Sequence, residues 1–251
     1  MPTLTIDGRP VRAREGAYLL EAARQAGVRI PTLCHHEAVE PWGGCRLCVV
    51  DVTRPEWGGS CRMVTACLYP VEEGLIVHTA TDRVVETRKV VLDLLLARCP
   101  DTPLVRQVAA EHGITETSYA RDPEPTDCIL CGLCTRVCDA IGVSAISSVS
   151  RGCGREVAPP FHEPPPDCIG CLACAEVCPT KCIPYETSDR RRVIWDREFE
   201  MLRCPECGRA HVTKAAAAFF DGRNGVPRGY FETCDECKRR QVAATAASLA
   251  R

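Results

Sequence analysis

Residues 128–138 read CILCGLCTRVC, and residues 168–179 read CIGCLACAEVCP. Both follow C-x2-C-x2-C-x3-C, and Pro179 stands directly after the last cysteine of the second run. Short gaps let consecutive backbone turns wrap a single cubane, and this spacing is the ligand pattern of paired 4Fe–4S clusters. In such a pair three cysteines of one run hold one cluster and the fourth reaches over to the other. The crossover predicts one set made of Cys128, Cys131, Cys134 and Cys178, and a second made of Cys168, Cys171, Cys174 and Cys138. Asp139 takes the place of the proline in the first run, a small departure from the pattern.

The rest of the composition agrees with a metal-stapled chain. Of 251 residues 20 are cysteine, whereas aromatic residues make up only 5%, so large side chains cannot fill one big core. Several small domains with thin cores are expected, and such domains need metals or disulfides as staples. C-x2-C runs suit a shared ion or cluster better than a disulfide framework. A net charge of −2 supplies no broad basic field for nucleic acid. No stretch approaches the roughly 18 apolar residues of a membrane span. The opening MPTLTIDGRPV has neither the basic nor the apolar region of a secretory signal. The expected location is the cytoplasm, where thiols stay reduced.

Working outward, four sections emerge: 1–81, 82–121, 122–187 and 188–251. In the first, residues 3–6 and 11–14 read as strands around the Asp7-Gly8 turn, a hairpin signal. Residues 17–26 read as a helix stopped by Gly27, and residues 49–52 and 75–78 as further strands. The second section is a helical connector, with one helix ending before Pro100 and another over residues 103–111. The third carries the paired runs and is expected to be a bacterial-type 2×4Fe–4S ferredoxin domain. The fourth has two C-x2-C knuckles and an Ala-rich final helix over residues 239–249. The basic run at residues 190–192 reads as a solvated turn. The expected class is α+β, with a β-grasp 2Fe–2S ferredoxin domain first and a small metal ribbon last.

Cys34, Cys45 and Cys48 form C-x10-C-x2-C, with Gly43 and Gly44 leaving room for backbone amides to approach a 2Fe–2S site. The fourth ligand is Cys61 or Cys67 on spacing alone. IPTLCHHE (30–37), GGCRLCVVDV (43–52) and ACLYPVEEGLIVHT (66–79) resemble the 2Fe–2S domain that opens the large iron–sulfur subunit of respiratory complex I. That domain is shared by the diaphorase subunit of NAD-linked NiFe hydrogenases and by iron-only hydrogenases. The family's last cysteine sits just before a P-V-x-x-G strand entry, so the resemblance implies Cys67 as the ligand and Cys61 as a loop thiol. RKVVLDLLLARCP (88–100) and both four-cysteine runs extend the resemblance over roughly residues 1–187. Most members carry a further 4Fe–4S site of one histidine and three cysteines between these parts. Here Cys99 stands at the histidine's place with no other cysteine before Cys128, so that cluster is expected to be missing and Cys99 to be a packing residue. Cys153 and Cys182 have no partners at ligand spacing.

Cys204, Cys207, Cys234 and Cys237 make two knuckles with 26 residues between them. They read as a four-thiolate zinc ribbon, in which tetrahedral zinc closes a segment too small to fold alone. Iron in a rubredoxin-like site, or a further cluster, could use the same thiolates. No G-x-G-x-x-G opens a helix after a strand, and no phosphate loop or Ser–His–Asp set is visible. No catalytic residue is therefore named.

One 2Fe–2S cluster, two 4Fe–4S clusters and one zinc ion describe an electron-transfer subunit of a multi-subunit oxidoreductase. Each cluster takes one electron, so a partner at one end should be a flavin that splits a hydride into single steps. The resemblance implies a flavin-containing NAD(P)H dehydrogenase subunit there. At the other end it implies a hydrogenase, formate dehydrogenase or other reductase subunit. A free-standing ferredoxin-like carrier is the first rival, and a zinc-only scaffold or nucleic-acid-binding protein the second.

Overall fold

The computed structural model describes residues 1–223 and 225–249. The chain divides into two compact units, Met1–Leu133 with Val177–Cys182, and Cys134–Glu176 with Ile183–Arg251. Both mix helices and strands, so the α+β content expected from the sequence is found.

The first unit opens with β1 (Thr3–Ile6) and β2 (Arg9–Arg12), joined through Asp7 and Gly8. Both turn residues have positive φ, at 47° and 79°, as a two-residue hairpin whose twist matches its strands requires. Next come α1 (Leu19–Gln25), β3 (Val49–Thr53), β4 (Arg62–Thr65) and β5 (Ile76–His78). The sheet order is β2-β1-β5-β3-β4, with β1 and β5 parallel and the other pairs antiparallel. Leu4, Ile6, Val50, Val52, Leu75 and Val77 pack with Leu19, Leu20, Ala22 and Ala23 of α1 into one core. Helix α1 begins later than expected, because Tyr18 is extended and bridges to Pro70. Strand β4 was not expected from the sequence; its four residues carry little apolar alternation and rely on pairing with β3.

Helix α2 (Asp82–Arg98) starts at Thr81, whose side chain accepts from the Val84 N–H at 3.2 Å. Helix α3 (Pro103–Glu111) begins with proline at its first position, where the missing N–H costs nothing. Leu92 and Leu96 of α2 meet Val105, Val108 and Ala109 of α3 in a second core, which also holds Leu33, Cys34, Leu47, Ile129, Cys131 and Leu133. Cys99 is fully buried in this core, and burial pushes its thiol up to about 11, as fits a packing residue.

The second unit comprises α4 (Leu133–Ile141) from its second residue onward, the hairpin of β6 (Ser147–Val149) and β7 (Glu156–Ala158), and the short α5 (Ala173–Glu176). An antiparallel meander follows, β8 (Tyr185–Thr187), β9 (Arg191–Ile194), β10 (Arg197–Arg203) and β11 (Ala210–Thr213), in the order β11-β10-β9-β8. Helices α6 (Lys214–Phe220) and α7 (Asp235–Leu249) complete it.

The picture of residues 190–192 as a solvated turn holds for the exposed Arg190 and is corrected for Arg191 and Arg192, which stand in β9. Arg192 lies within β9, is buried, and donates to the Gly170 carbonyl at 2.8 Å and to Thr187 Oγ1 at 3.1 Å. Of the three arginines one is thus buried and hydrogen-bonded, while Arg190 and Arg191 stay exposed. The alternation that announces β10 is present in REFEMLR, where Phe199 and Met201 face inward between exposed charges.

Candidate metal centres

The first centre lies at the edge where β3 leaves its loop. The Cys45 N–H donates to Cys34 Sγ at 3.3 Å, and the Leu33 N–H donates to Cys45 Sγ at 3.5 Å. Cys48 and Cys67 form the second half, with sulfurs 3.4 Å apart. The hydrogen bond from Cys34, supported by backbone N–H donors, brings the Cys45 thiol down to about 5. Cys34 and Cys67 are pushed up, chiefly by their thiol partners and then by burial. Each half therefore offers one easily formed thiolate, and the four sulfurs feel one another's charge. Cys61 is exposed in the β3–β4 connection with its sulfur facing the Gly59 carbonyl, apart from this group.

Two devices hold the loop. Arg88 of α2, 6% exposed, donates to the carbonyls of Leu47 at 3.1 Å and Val49 at 2.7 Å, on either side of Cys48. Gly43, at φ 69°, runs so close to Leu68 that an added Cβ would stand 2.5 Å from its Cδ1. A side chain there would strain the backbone and displace the residue next to Cys67.

The paired runs share one backbone device. Leu130 and Gly132 in the first have φ of 51° and 69°; Gly170 and Leu172, forty positions later in the same phase, have 66° and 68°. Each loop thus takes two left-handed residues, one glycine and one leucine, with the glycine at opposite places. A left-handed leucine costs on the order of 1–3 kcal/mol, and such conformations gather where a site demands them. Each glycine also lies under an aromatic ring. A Cβ on Gly132 would stand 2.9 Å from Trp42, and one on Gly170 would stand 2.7 Å from Phe199.

In the second unit Cys138, Cys168, Cys171 and Cys174 line one small apolar cavity. The lining is completed by residues that include Ile141, Ile146, Ile169, Ile194 and Trp195. The Ala145 N–H donates to Cys138 Sγ at 3.3 Å, and the Gly170 N–H to Cys168 Sγ at 3.5 Å. Burial raises the thiols of Cys138, Cys168 and Cys174, the last to about 11. Clustered thiols that resist ionisation in an apolar pocket suit a cation that would take up their charge. Arg197 fastens the approach by donating to the carbonyls of Pro165 at 2.7 Å and Cys168 at 2.8 Å, while lying over the Phe199 ring.

Of the other predicted set, Cys128, Cys131 and Cys178 fall in the first unit, and Cys134 is the first residue of the second. Arg98 Nε donates to the Cys128 carbonyl at 3.1 Å, fixing the start of the run to the end of α2. Cys182, which has no partner by spacing, is found beside two of these thiols. Its sulfur is 3.6 Å from Cys178 Sγ and hydrogen-bonds Cys128 as well. These bonds bring Cys128 down to about 6 and Cys178 to about 5. The only signal in the sequence was its distance of four residues from Cys178, too common a spacing to single it out. Cys153 is exposed within the β6–β7 hairpin.

The sulfurs of Cys204, Cys207, Cys234 and Cys237 lie within 4.8 Å of one another. That suits a tetrahedral ion with bonds of about 2.3 Å to sulfur. The Gly208 N–H returns to the Cys204 carbonyl at 2.8 Å and closes the first knuckle. The second knuckle opens α7, and Arg240 on its second turn donates to Cys237 Sγ at 2.8 Å. Backbone N–H groups, led by that of Cys234, bring Cys204 down to about 6, so a thiolate is available at neutral pH.

Among the described residues no helix is long and apolar enough to cross a membrane. Residues 1–82 match the model of the 2Fe-2S iron-sulfur cluster binding domain. The chain is 37% identical over 105 residues to the mitochondrial NADH-ubiquinone oxidoreductase 78 kDa subunit of Candida albicans, covering 41% of this chain and 14% of that protein. It is 32% identical over 192 residues to NADP-reducing hydrogenase subunit HndD of Solidesulfovibrio fructosivorans, covering 64% of this chain and 32% of the relative. A crystal structure of NAD+-reducing NiFe-hydrogenase in the H2-reduced state superimposes with a TM-score of 0.55 at 29% identity, covering 63% of this chain and 74% of that one. The chain thus spans between 14% and 32% of the length of these two curated relatives. With its first 82 residues matching that domain model, the chain is similar to subunits of NADH-ubiquinone oxidoreductase and NADP-reducing hydrogenase.

Proposed function

We propose that this chain is an electron-transfer subunit of a multi-subunit, cytoplasmic oxidoreductase linked to NAD(P)H. Cys34, Cys45, Cys48 and Cys67 hold a 2Fe–2S cluster. Cys128, Cys131, Cys134 and Cys178 hold one 4Fe–4S cluster, and Cys168, Cys171, Cys174 and Cys138 the other. Cys204, Cys207, Cys234 and Cys237 hold zinc. The observation that carries the proposal is the cavity shared by Cys138 with Cys168, Cys171 and Cys174, because it joins two runs through the crossover that paired clusters require. The sheet order β2-β1-β5-β3-β4 supports a β-grasp domain over residues 1–81, with 82–121 as connector, 122–187 as ferredoxin-like domain and 188–251 as metal ribbon.

When bound, iron–sulfur clusters supply one-electron carriage at potentials set by charge, hydrogen bonds to sulfur and exposure. The chain's own residues furnish those settings. The N–H groups of Leu33, Cys45, Ala145 and Gly170 point at cysteine sulfurs, so negative charge there is met by fixed dipoles. Cys34, Cys48 and Cys67 are buried, and isoleucines line the second-unit cavity, so water is held away. Partners that deliver and collect single electrons are a flavin-containing NAD(P)H dehydrogenase subunit and a hydrogenase, formate dehydrogenase or other reductase subunit. No nucleic acid is among them.

Anaerobic purification followed by elemental analysis tests the proposal. The cluster types give about ten iron atoms per chain, and one zinc atom accompanies them. About two iron atoms would defeat the paired 4Fe–4S assignment, and about fourteen would place a further cluster at Cys99 or in the ribbon. Isolation of the chain from its native cell as a stable single subunit would defeat the multi-subunit part.

A further inference from the structure

Two cysteine loops of the first unit share one side chain. A Cβ built on Gly44 would stand 2.5 Å from Cζ3 of Trp42, and a Cβ built on Gly132 would stand 2.9 Å from the same carbon. Gly44 precedes Cys45, and Gly132 follows Cys131. One edge of the indole therefore packs directly on the backbone of both loops, and each contact exists only because the residue beneath is glycine. On the inner side Cys34 and Cys131 belong to one buried cluster with Leu33, Leu47, Ile129 and Leu133.

Phe199 offers a contrast in the second unit. Its ring lies on Gly170 and is 4% exposed, as expected of a core side chain. Trp42 is 43% exposed, so a large part of its surface gains nothing from burial. What a smaller residue would not supply is a continuous π system in contact with both loops.

We propose that Trp42 bridges the 2Fe–2S loop and the first 4Fe–4S loop, and that one-electron exchange between these two sites depends on its indole. This rests on the cluster assignment proposed above. One electron leaves one site and one arrives at the other. The indole is neither oxidised nor protonated, no bond forms or breaks, and the ring acts as a contact of high polarisability where solvent would otherwise stand.

The test uses the full chain, purified anaerobically with its clusters, as wild type, Trp42→Phe, Trp42→Leu and the control Tyr119→Leu, at an aromatic residue 46% exposed and outside every cysteine loop. Three quantities are measured: the potential of each cluster by EPR-monitored titration, the dipolar coupling between the two spins, and the rate of electron exchange after flash reduction. The expected result is unchanged potentials and spin separation, with exchange slowed several-fold in Trp42→Leu, less in Trp42→Phe, and not at all in Tyr119→Leu. An unchanged rate in Trp42→Leu overturns the proposal. So does a slower rate matched by a larger spin separation, since Trp42 would then be a spacer only. If Trp42→Leu fails to retain both clusters, the same comparison is decided by Trp42→Phe. A wild-type chain lacking one of the two EPR signals would defeat the cluster assignment itself, a result separate from any difference among variants.

Discussion

The sheet of the first unit and the knuckles near the end of the chain hold their cysteines in opposite ways. Cys48 and Cys67 sit in a core of eighteen buried residues that includes Leu4, Ile6, Leu19, Leu20, Val50 and Leu75. Around the knuckles the buried cluster consists of Cys204, Cys234 and Cys237. Nearby aromatic contacts exist, Phe220 with Phe231 at 5.9 Å and Tyr230 with Phe231 at 5.1 Å, but these rings remain partly or largely exposed. At about 25 cal/mol per Å² of apolar area buried, they contribute far less than ordering the backbone between the knuckles costs. In the first region the fold presents a site; in the second an ion held as proposed above would supply much of the folding free energy.

The largest effect should follow from removing one knuckle ligand. Cys204→Ala is expected to unfold the segment from 204 to 237, with loss of the zinc atom, while the signals of the iron–sulfur sites persist. Hydrogen exchange over that segment, read beside elemental analysis, checks this. Protection that survives the substitution would show that the rings suffice without the ion. If an EPR signal disappears instead, the knuckles hold iron.

A ligand change in the first region should be severe at the site and mild for the fold. Cys67→Ser is expected to abolish or distort the 2Fe–2S EPR signal, with Cys61→Ser leaving it intact. Far-UV circular dichroism of both should match the parent, because the core of the first unit does not depend on the metal. Collapse of the sheet in Cys67→Ser would erase the contrast between the regions.

Apolar truncation reverses the roles. Leu75→Ala, at a fully buried position, should destabilise the first unit by about 2–5 kcal/mol. Denaturant titration followed by exchange in β1 and β5 measures it, and the knuckle segment should be unaffected.

The smallest effect concerns Asp51, buried beneath Thr81 and Arg83. Burial pushes its carboxyl up, but hydrogen bonds from Arg83 and Thr81 outweigh this and hold it below the usual range. A depressed carboxylate adds stability that is full above its unfolded value of about 3.9 and is lost as the pH falls through the folded value. Asp51→Asn should therefore lower the unfolding midpoint at pH 7 by less than Leu75→Ala does. The difference from the parent should shrink in acid below pH about 4. A difference that grows in acid would contradict the sign.

The sequence and the fold divide the explanation between them. Close spacings were readable because a C-x2-C run confines its sulfurs within one or two backbone turns, whatever surrounds it. The Asp7-Gly8 hairpin and the helix over 103–111 were readable for a similar reason, since φ preferences and proline position act locally. Strands β8 and β9 leave little trace in the sequence because they are short, charged and held mainly by pairing, whereas the longer β10 carries the alternation of REFEMLR. Cys67 beside Cys48 and Cys138 with the second run were expected from the resemblance and the crossover, and the fold brings both groups together; tertiary structure alone decided that Cys182 lies beside Cys128 and Cys178. It also decided that Arg192 is buried and that Trp42 lies on two glycines 88 positions apart. Local spacing sets what a segment can bind. Long-range closure, which depends on the packing of whole cores, sets which segments come together to bind it.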